Sequence, residues 1–260
     1  SYRVVAYYLD GSESYVSDPV CSQLVRDVPI ITNVDVTSTG TSGAINVKWL
    51  KPIADPANYD TTVSANHGPY RFELLRLNPA SIVQTFSSPF FATLNNTSSL
   101  DSPLNTQSNP YTYRIDFYDT LNTSCPSQNA SSVFLSCNPS DNKIQTTWNE
   151  HVPWTNYRYD IYRFNALTWD SIGTTTLQTF TDSGLVNGVT YCYKIKSIGS
   201  YPDTSLPHPL INWSQELCCS PVDLIPPCPV TLAVDSSCDL SENLLSWNNP
   251  NNSCSDDALY

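Results

Sequence analysis

The sequence predicts an all-β protein: a tandem, elongated array of immunoglobulin-like sandwiches, each made of two packed sheets. Three observations carry that expectation. The 260 residues hold 16 tyrosines, 6 tryptophans and 20 prolines but no methionine. Ser, Thr, Asn and Pro fill the gaps between short Val/Ile/Tyr/Phe runs, and such branched and aromatic side chains suit a pleated, half-buried surface. Trp49, Trp148 and Trp247 each close an alternating segment, at a constant interval of 99 residues. Further landmarks then follow the tryptophans in a repeating order, the mark of duplicated structural units.

The segment Ile45-Asn46-Val47-Lys48-Trp49 places Ile45, Val47 and Trp49 on one face of a strand. Ile144 to Trp148 and Leu244 to Trp247 repeat it. Next comes Tyr70-Arg71-Phe72-Glu73-Leu74-Leu75-Arg76, matched by Tyr157 to Arg163. A third landmark pairs Asp101-Ser102-Pro103-Leu104 with Asp182-Ser183-Gly184-Leu185. The fourth pairs Tyr111-Thr112-Tyr113-Arg114-Ile115 with Tyr191-Cys192-Tyr193-Lys194-Ile195, the latter introduced by the turn Asn187-Gly188. Roughly seven short strands in about 80–110 residues describes an immunoglobulin-like unit. Trp49, Trp148, Trp247, Tyr111, Tyr113, Tyr191 and Tyr193 are the expected buried anchors. A sugar-stacking tryptophan needs exposure, which these strand positions argue against.

Leu185-Val186-Asn187-Gly188-Val189-Thr190-Tyr191-Cys192-Tyr193-Lys194-Ile195, together with a tryptophan on the second strand, resembles the fibronectin type III pattern. The resemblance makes Tyr111 and Tyr191 corner tyrosines. It implies a C-terminal part of one domain over 1–27, full domains over 28–132 and 133–222, and an N-terminal part of a further domain over 223–260. Such arrays stack end to end, each domain with its own core. The segment Leu50 to Pro69 is a long insertion between two strands of the first full domain, read as unstructured decoration rather than an interaction loop.

Closer still, Trp148-Asn149-Glu150-His151-Val152-Pro153-Trp154-Thr155-Asn156-Tyr157, Pro226-Pro227-Cys228-Pro229-Val230 and Leu245-Ser246-Trp247-Asn248-Asn249-Pro250-Asn251-Asn252-Ser253-Cys254 form one group. They resemble the tandem domains that precede the gliding-motility-associated C-terminal module in secreted Bacteroidota proteins. That resemblance implies a non-enzymatic, type IX-secreted surface protein, serving as spacer and interaction scaffold in gliding motility, adhesion or the secretion machinery. Its partners would be other cell-surface or outer-membrane proteins, either translocon or adhesin components. It also implies O-linked modification at Asp119-Thr120-Leu121 and Asp170-Ser171-Ile172.

Nine cysteines without a C-x-x-C pair favour disulfides and an extracellular, oxidising setting over zinc or cytosolic redox chemistry. In a seven-stranded sandwich the last strand returns beside the sixth, so Cys192 and Cys218 are expected to meet at one sheet end. The same topology brings Cys228 near Cys254. Cys125 is a candidate partner for Cys21, whereas Cys137, Cys219 and Cys238 receive no assignment.

A net charge of −12 argues against nucleic-acid binding. No run approaches the roughly 18 apolar residues of a membrane-spanning helix. No basic-then-apolar leader opens the sequence, so export information lies elsewhere or the 260 residues are one piece of a longer chain. The three histidines His67, His151 and His208 are widely separated in the sequence, and no nucleophile elbow, zinc-protease helix motif or phosphate loop occurs. Glu150-His151 reads as a surface pair, and no catalytic residue is expected. No cofactor or metal is expected either; Asp256-Asp257 reads as a solvated acidic edge rather than a calcium site. The alternative function is the accessory region, carbohydrate-binding or spacer, of a secreted hydrolase. Asn95, Asn122, Asn129 and Asn212 head N-x-S/T sequons, which in a eukaryotic receptor would accept glycans.

Overall fold

A computed structural model of the chain describes residues 5–16, 26–121, 124–224, 229–237 and 242–249. Eight strands form the first unit: β1 (Ile30–Ser38), β2 (Gly43–Leu50), β3 (Tyr70–Leu77), β4 (Ala80–Ser88), β5 (Ser98–Leu104), β6 (Thr112–Tyr118), β7 (Ser124–Pro126) and β8 (Ala130–Ser131). One sheet has the order β1-β2-β5. The facing sheet runs β4-β3-β6-β7, with β8 also pairing β6.

The second unit repeats the plan with β9 (Phe134–Ser140), β10 (Lys143–Asn149), β11 (Thr155–Phe164), β12 (Trp169–Thr175), β13 (Thr179–Ser183), β14 (Tyr191–Ser200), β15 (Leu210–Trp213) and β16 (Leu217–Cys219). Its sheets are β9-β10-β13 and β12-β11-β14-β15, with β16 also on β14. β17 (Leu232–Ser237) and β18 (Glu242–Trp247) form a separate hairpin. The described residues contain no α-helix, so the all-β expectation holds as two sandwiches and a hairpin.

Alternation places the cores. Ile45, Val47 and Trp49 on β2 face Phe72, Leu74, Tyr113, Ile115 and Phe117 from the opposite sheet, all fully buried. In the second unit Ile144 and Trp148 face Tyr159, Ile161, Tyr193 and Ile195. Each tryptophan meets an aromatic ring of the facing sheet nearly edge-on, Trp49 with Phe72 at 6.1 Å and Trp148 with Tyr159 at 5.1 Å, the arrangement that ring quadrupoles favour.

Three expectations need correction. Trp247 is 68% exposed, not buried. On the hairpin, Leu232 and Val234 lie opposite Trp247 and Leu245, an apolar face with no second sheet over it among the described residues. The insertion between β2 and β3 is not loose decoration: its Tyr59 is buried among Phe91, Phe117 and Tyr70, and its phenol donates to Asp119 Oδ2 at 2.9 Å. Nor is the first unit's core closed at the junction, because Trp154 and Leu210 of the second unit join it, with Val152 and Tyr201 packed against the same cluster.

Candidate functional site: the seam between the sandwiches

The seam joins two sheet edges. β1 is an edge of its three-stranded sheet and β15 an edge of its sheet, so both carry backbone groups without a ladder partner. Bare edges invite pairing with other chains. Here side chains close them instead of a ladder. Asn33 Nδ2 donates to the Ile211 carbonyl at 2.8 Å, and the Val34 N–H donates to Asn212 Oδ1 at 2.8 Å. The Trp213 N–H donates to Asp35 Oδ1 at 2.7 Å, and the Glu216 N–H to Thr39 Oγ1 at 2.8 Å. At the other end the Tyr201 phenol donates to the Ile31 carbonyl at 2.7 Å.

These contacts interleave: Asn33, Asn212 and Asp35 each read the neighbouring strand's backbone, so sliding either strand breaks all of them together. Burial pushes the Asp35 carboxyl upward, partly offset by the Trp213 N–H, and it raises the Tyr201 phenol. Trp154 anchors the seam from below. A Cβ on Gly199, opposite Asn156 on β11, would stand 2.8 Å from the Trp154 ring, so glycine permits that close approach.

Cavities flank the seam. One of about 310 Å³ is mostly apolar, lined by Val28, Pro29, Ile31, Tyr201 and Leu206 with Arg26 and Asp203. Another, about 530 Å³, is polar and lies between the end of β1 and Lys194, Trp213 and Glu216. A third, about 420 Å³, includes Arg114, Gln128 and His151. Beside the polar groove, the outer face of the second unit carries a strip of rings and ammonium groups. Lys194 Nζ lies 4.4 Å from the Trp169 ring and 5.0 Å from Trp213. Tyr162 packs on Trp213 at 5.1 Å and Phe164 on Trp169 at 5.3 Å.

Inside each sandwich the repeat landmarks converge. Arg76 Nη1 reaches Asp101 Oδ2 at 2.9 Å, and the Tyr113 phenol donates to the same oxygen at 2.9 Å. Arg163, Asp182 and Tyr193 repeat this at 2.7 and 2.8 Å. The guanidinium groups also lie over Tyr111 and Tyr191, at 5.8 and 5.7 Å. Tyr111, Tyr113 and Tyr193 are buried, while Tyr191 is half-buried; its hydroxyl accepts from the Val186 N–H at 3.1 Å.

Cys192 and Cys218 face each other across β14 and β16 and are bonded. Cys137 on β9 is bonded to Cys219, a pairing that sequence reasoning did not assign. The adjacent cysteines Cys218 and Cys219 thus reach two different strands, one within their sheet and one across the sandwich. Cys125 has no disulfide partner among the described residues. Cys21, Cys228, Cys238, Cys254, Asn122 and the Asp256-Asp257 pair lie outside the described residues.

Glu150 is not a surface partner of His151. Its Oε1 accepts from the Tyr159 phenol at 2.6 Å, whereas His151 is exposed and its backbone pairs with Ser131. Asn212, one of the sequon asparagines, is 2% exposed, and a glycan there would part the seam. Asn95 and Asn129 are exposed, as are Thr120 and Ser171. No group of three or more His, Cys, Asp or Glu side chains able to hold a metal ion occurs among the described residues.

No family model matches this chain, and no curated protein matches it. Among solved structures it is similar to the central fibronectin-III array of RIM-binding protein. The identity is 10% with a TM-score of 0.29, over 85% of this chain and 79% of that one. The two-sheet sandwich fold described above rests on strand order and burial in the chain itself.

The seam residues escaped sequence reasoning because Asn, Asp and Thr on an edge strand read as ordinary solvent-facing polar positions. The Arg–Asp–Tyr trio did leave a signal. All its members recur in the repeat, and a buried carboxylate needs a cation or donors.

Proposed function

We propose that this chain is a rigid, non-enzymatic spacer and protein-interaction scaffold built from fibronectin type III-like sandwiches. The interlocked seam carries this reading. Interfaces between domains of one chain resemble transient protein contacts and by default permit relative motion. Five side-chain-to-backbone bonds and a core that crosses the junction oppose such motion here. A spacer must transmit position, and a locked junction does so.

Two disulfides support an oxidising, extracellular location, and no helix among the described residues is long and apolar enough to cross a membrane. The finer reading places the protein on the surface of a gliding bacterium, exported by the type IX route and partnered by translocon or adhesin components. Its support is the residue pattern between 133 and 260.

The spacer reading is tested by backbone relaxation of the two sandwiches in solution. One shared rotational correlation time is expected, splitting into two in the pair Asn212→Ala, Tyr201→Phe. Independent tumbling of the unaltered chain would overturn it. The export reading is tested separately, by surface display in a strain lacking the type IX translocon. Undiminished display there removes it.

A further inference from the structure

We propose that the polar groove at the seam binds a neutral oligosaccharide. Both sandwiches build it: Asp35, Thr37 and Thr39 come from the first, Lys194, Trp213 and Glu216 from the second. At about 530 Å³ it lies within the range of small-ligand sites. The seam fixes its walls from both sides, since the Trp213 N–H holds Asp35 Oδ1 and the Glu216 N–H holds Thr39 Oγ1. A ligand therefore meets groups already in place, which lowers the ordering cost of binding.

The chemistry of the lining selects the ligand class. A sugar ring offers an apolar C–H face and a rim of hydroxyls that both donate and accept. Trp213 supplies a half-buried indole for the first. Carboxylates at Asp35 and Glu216 accept hydrogen bonds from hydroxyls, the Lys194 ammonium donates them, and threonine hydroxyls do either. Asp35 and Glu216 balance Lys194 in the lining and Lys196 beside Trp213, so the groove carries no excess positive charge, which in a chain of net charge −12 disfavours an anionic ligand. A peptide partner needs an apolar pocket for an anchoring side chain, and Val36 is the only aliphatic residue in this lining.

Lys194, which lines the groove, also lies 4.4 Å from the Trp169 ring, so a second indole stands beside the groove on the outer face of the sheet. An oligomer that leaves the groove on this side meets it, which a single sugar unit does not.

The test titrates the whole chain with cello-, xylo-, manno-, laminari- and chito-oligosaccharides of six units, read by calorimetry and tryptophan fluorescence. At least one should bind and shift the emission. Trp213→Ala should weaken that binding about tenfold or more. Because Trp213→Ala also disturbs Tyr162, Glu216→Gln serves as the second variant. It should weaken binding severalfold while leaving the thermal midpoint unchanged. Affinity should not fall as salt rises, as it would for a charged ligand. Failure of all five probes to bind, or equal binding by both variants, would overturn the proposal. The site needs the seam but not the spacer reading: sandwiches that tumble together yet bind none of the probes lose this inference and keep that one.

Discussion

The phenol of Tyr193 donates a 2.8 Å hydrogen bond across the second sandwich to Asp182. Arg163 approaches the same carboxylate oxygen at 2.7 Å. Tyr113, Asp101 and Arg76 hold the same relation in the first. In each case the aspartate lies on the three-stranded sheet and its two partners on the facing sheet, so a polar rivet crosses an apolar core.

Removing the aspartate strands a guanidinium and a phenol. Asp101→Ala should cost about 3 kcal/mol, in the range for breaking a buried pair. Asp182→Ala should cost less, about 2 kcal/mol, because Arg163 retains more exposure to water than Arg76 and can recover solvation. Urea midpoints of the two variants check both the size and the ordering.

Stability should fall at alkaline pH. Burial, reinforced by hydrogen bonds to carboxylates, raises the phenols of Tyr113, Tyr193, Tyr59 and Tyr159 above their ordinary value. In the unfolded chain they titrate near about 10. The folded state therefore keeps protons that the unfolded state has lost. Their contribution is complete below about pH 10 and declines above it. Denaturation curves across that range, with tyrosinate absorbance read in parallel, should show unfolding and ionisation together. Tyr113→Phe with Tyr193→Phe should make the decline shallower.

The two disulfides should differ in their effect. The Cys137–Cys219 bond spans 82 residues and Cys192–Cys218 spans 26. Chain-entropy arithmetic gives roughly 4.5 and 3.5 kcal/mol respectively. Cys137→Ser should thus lower the midpoint more than Cys192→Ser. A non-reducing peptide map should recover Cys137, Cys192, Cys218 and Cys219 in one linked fragment.

Tyr59→Ala in the insertion should cost about 3 kcal/mol, as for other buried aromatic truncations. Loose decoration would tolerate the change. Thermal melting distinguishes the outcomes, and Tyr59→Phe isolates the bond to Asp119.

Much of the fold was legible because strand alternation is local. Ile45, Val47 and Trp49 announce an inward face in the sequence, and β2 buries all three. Cys192 and Cys218 were legible for a similar reason: a sandwich's last strand returns beside its sixth. The Cys137–Cys219 bond was not, because it depends on how far apart two sheets settle. Nor was the seam, whose Asn33 and Asn212 are separated by nearly the whole of both units.

Trp49, Trp148 and Trp247 show where the division falls. Sequence alone determined that all three end a strand with an apolar face, because side-chain direction alternates along any extended chain. Only the tertiary structure decided which are buried. Trp49 and Trp148 are each 1% exposed beneath a second sheet, and Trp247 sits on a two-stranded hairpin over which the described residues place no second sheet. Periodicity creates a face that gains by being covered, but burial requires a partner surface, and that is supplied by residues far away in the chain.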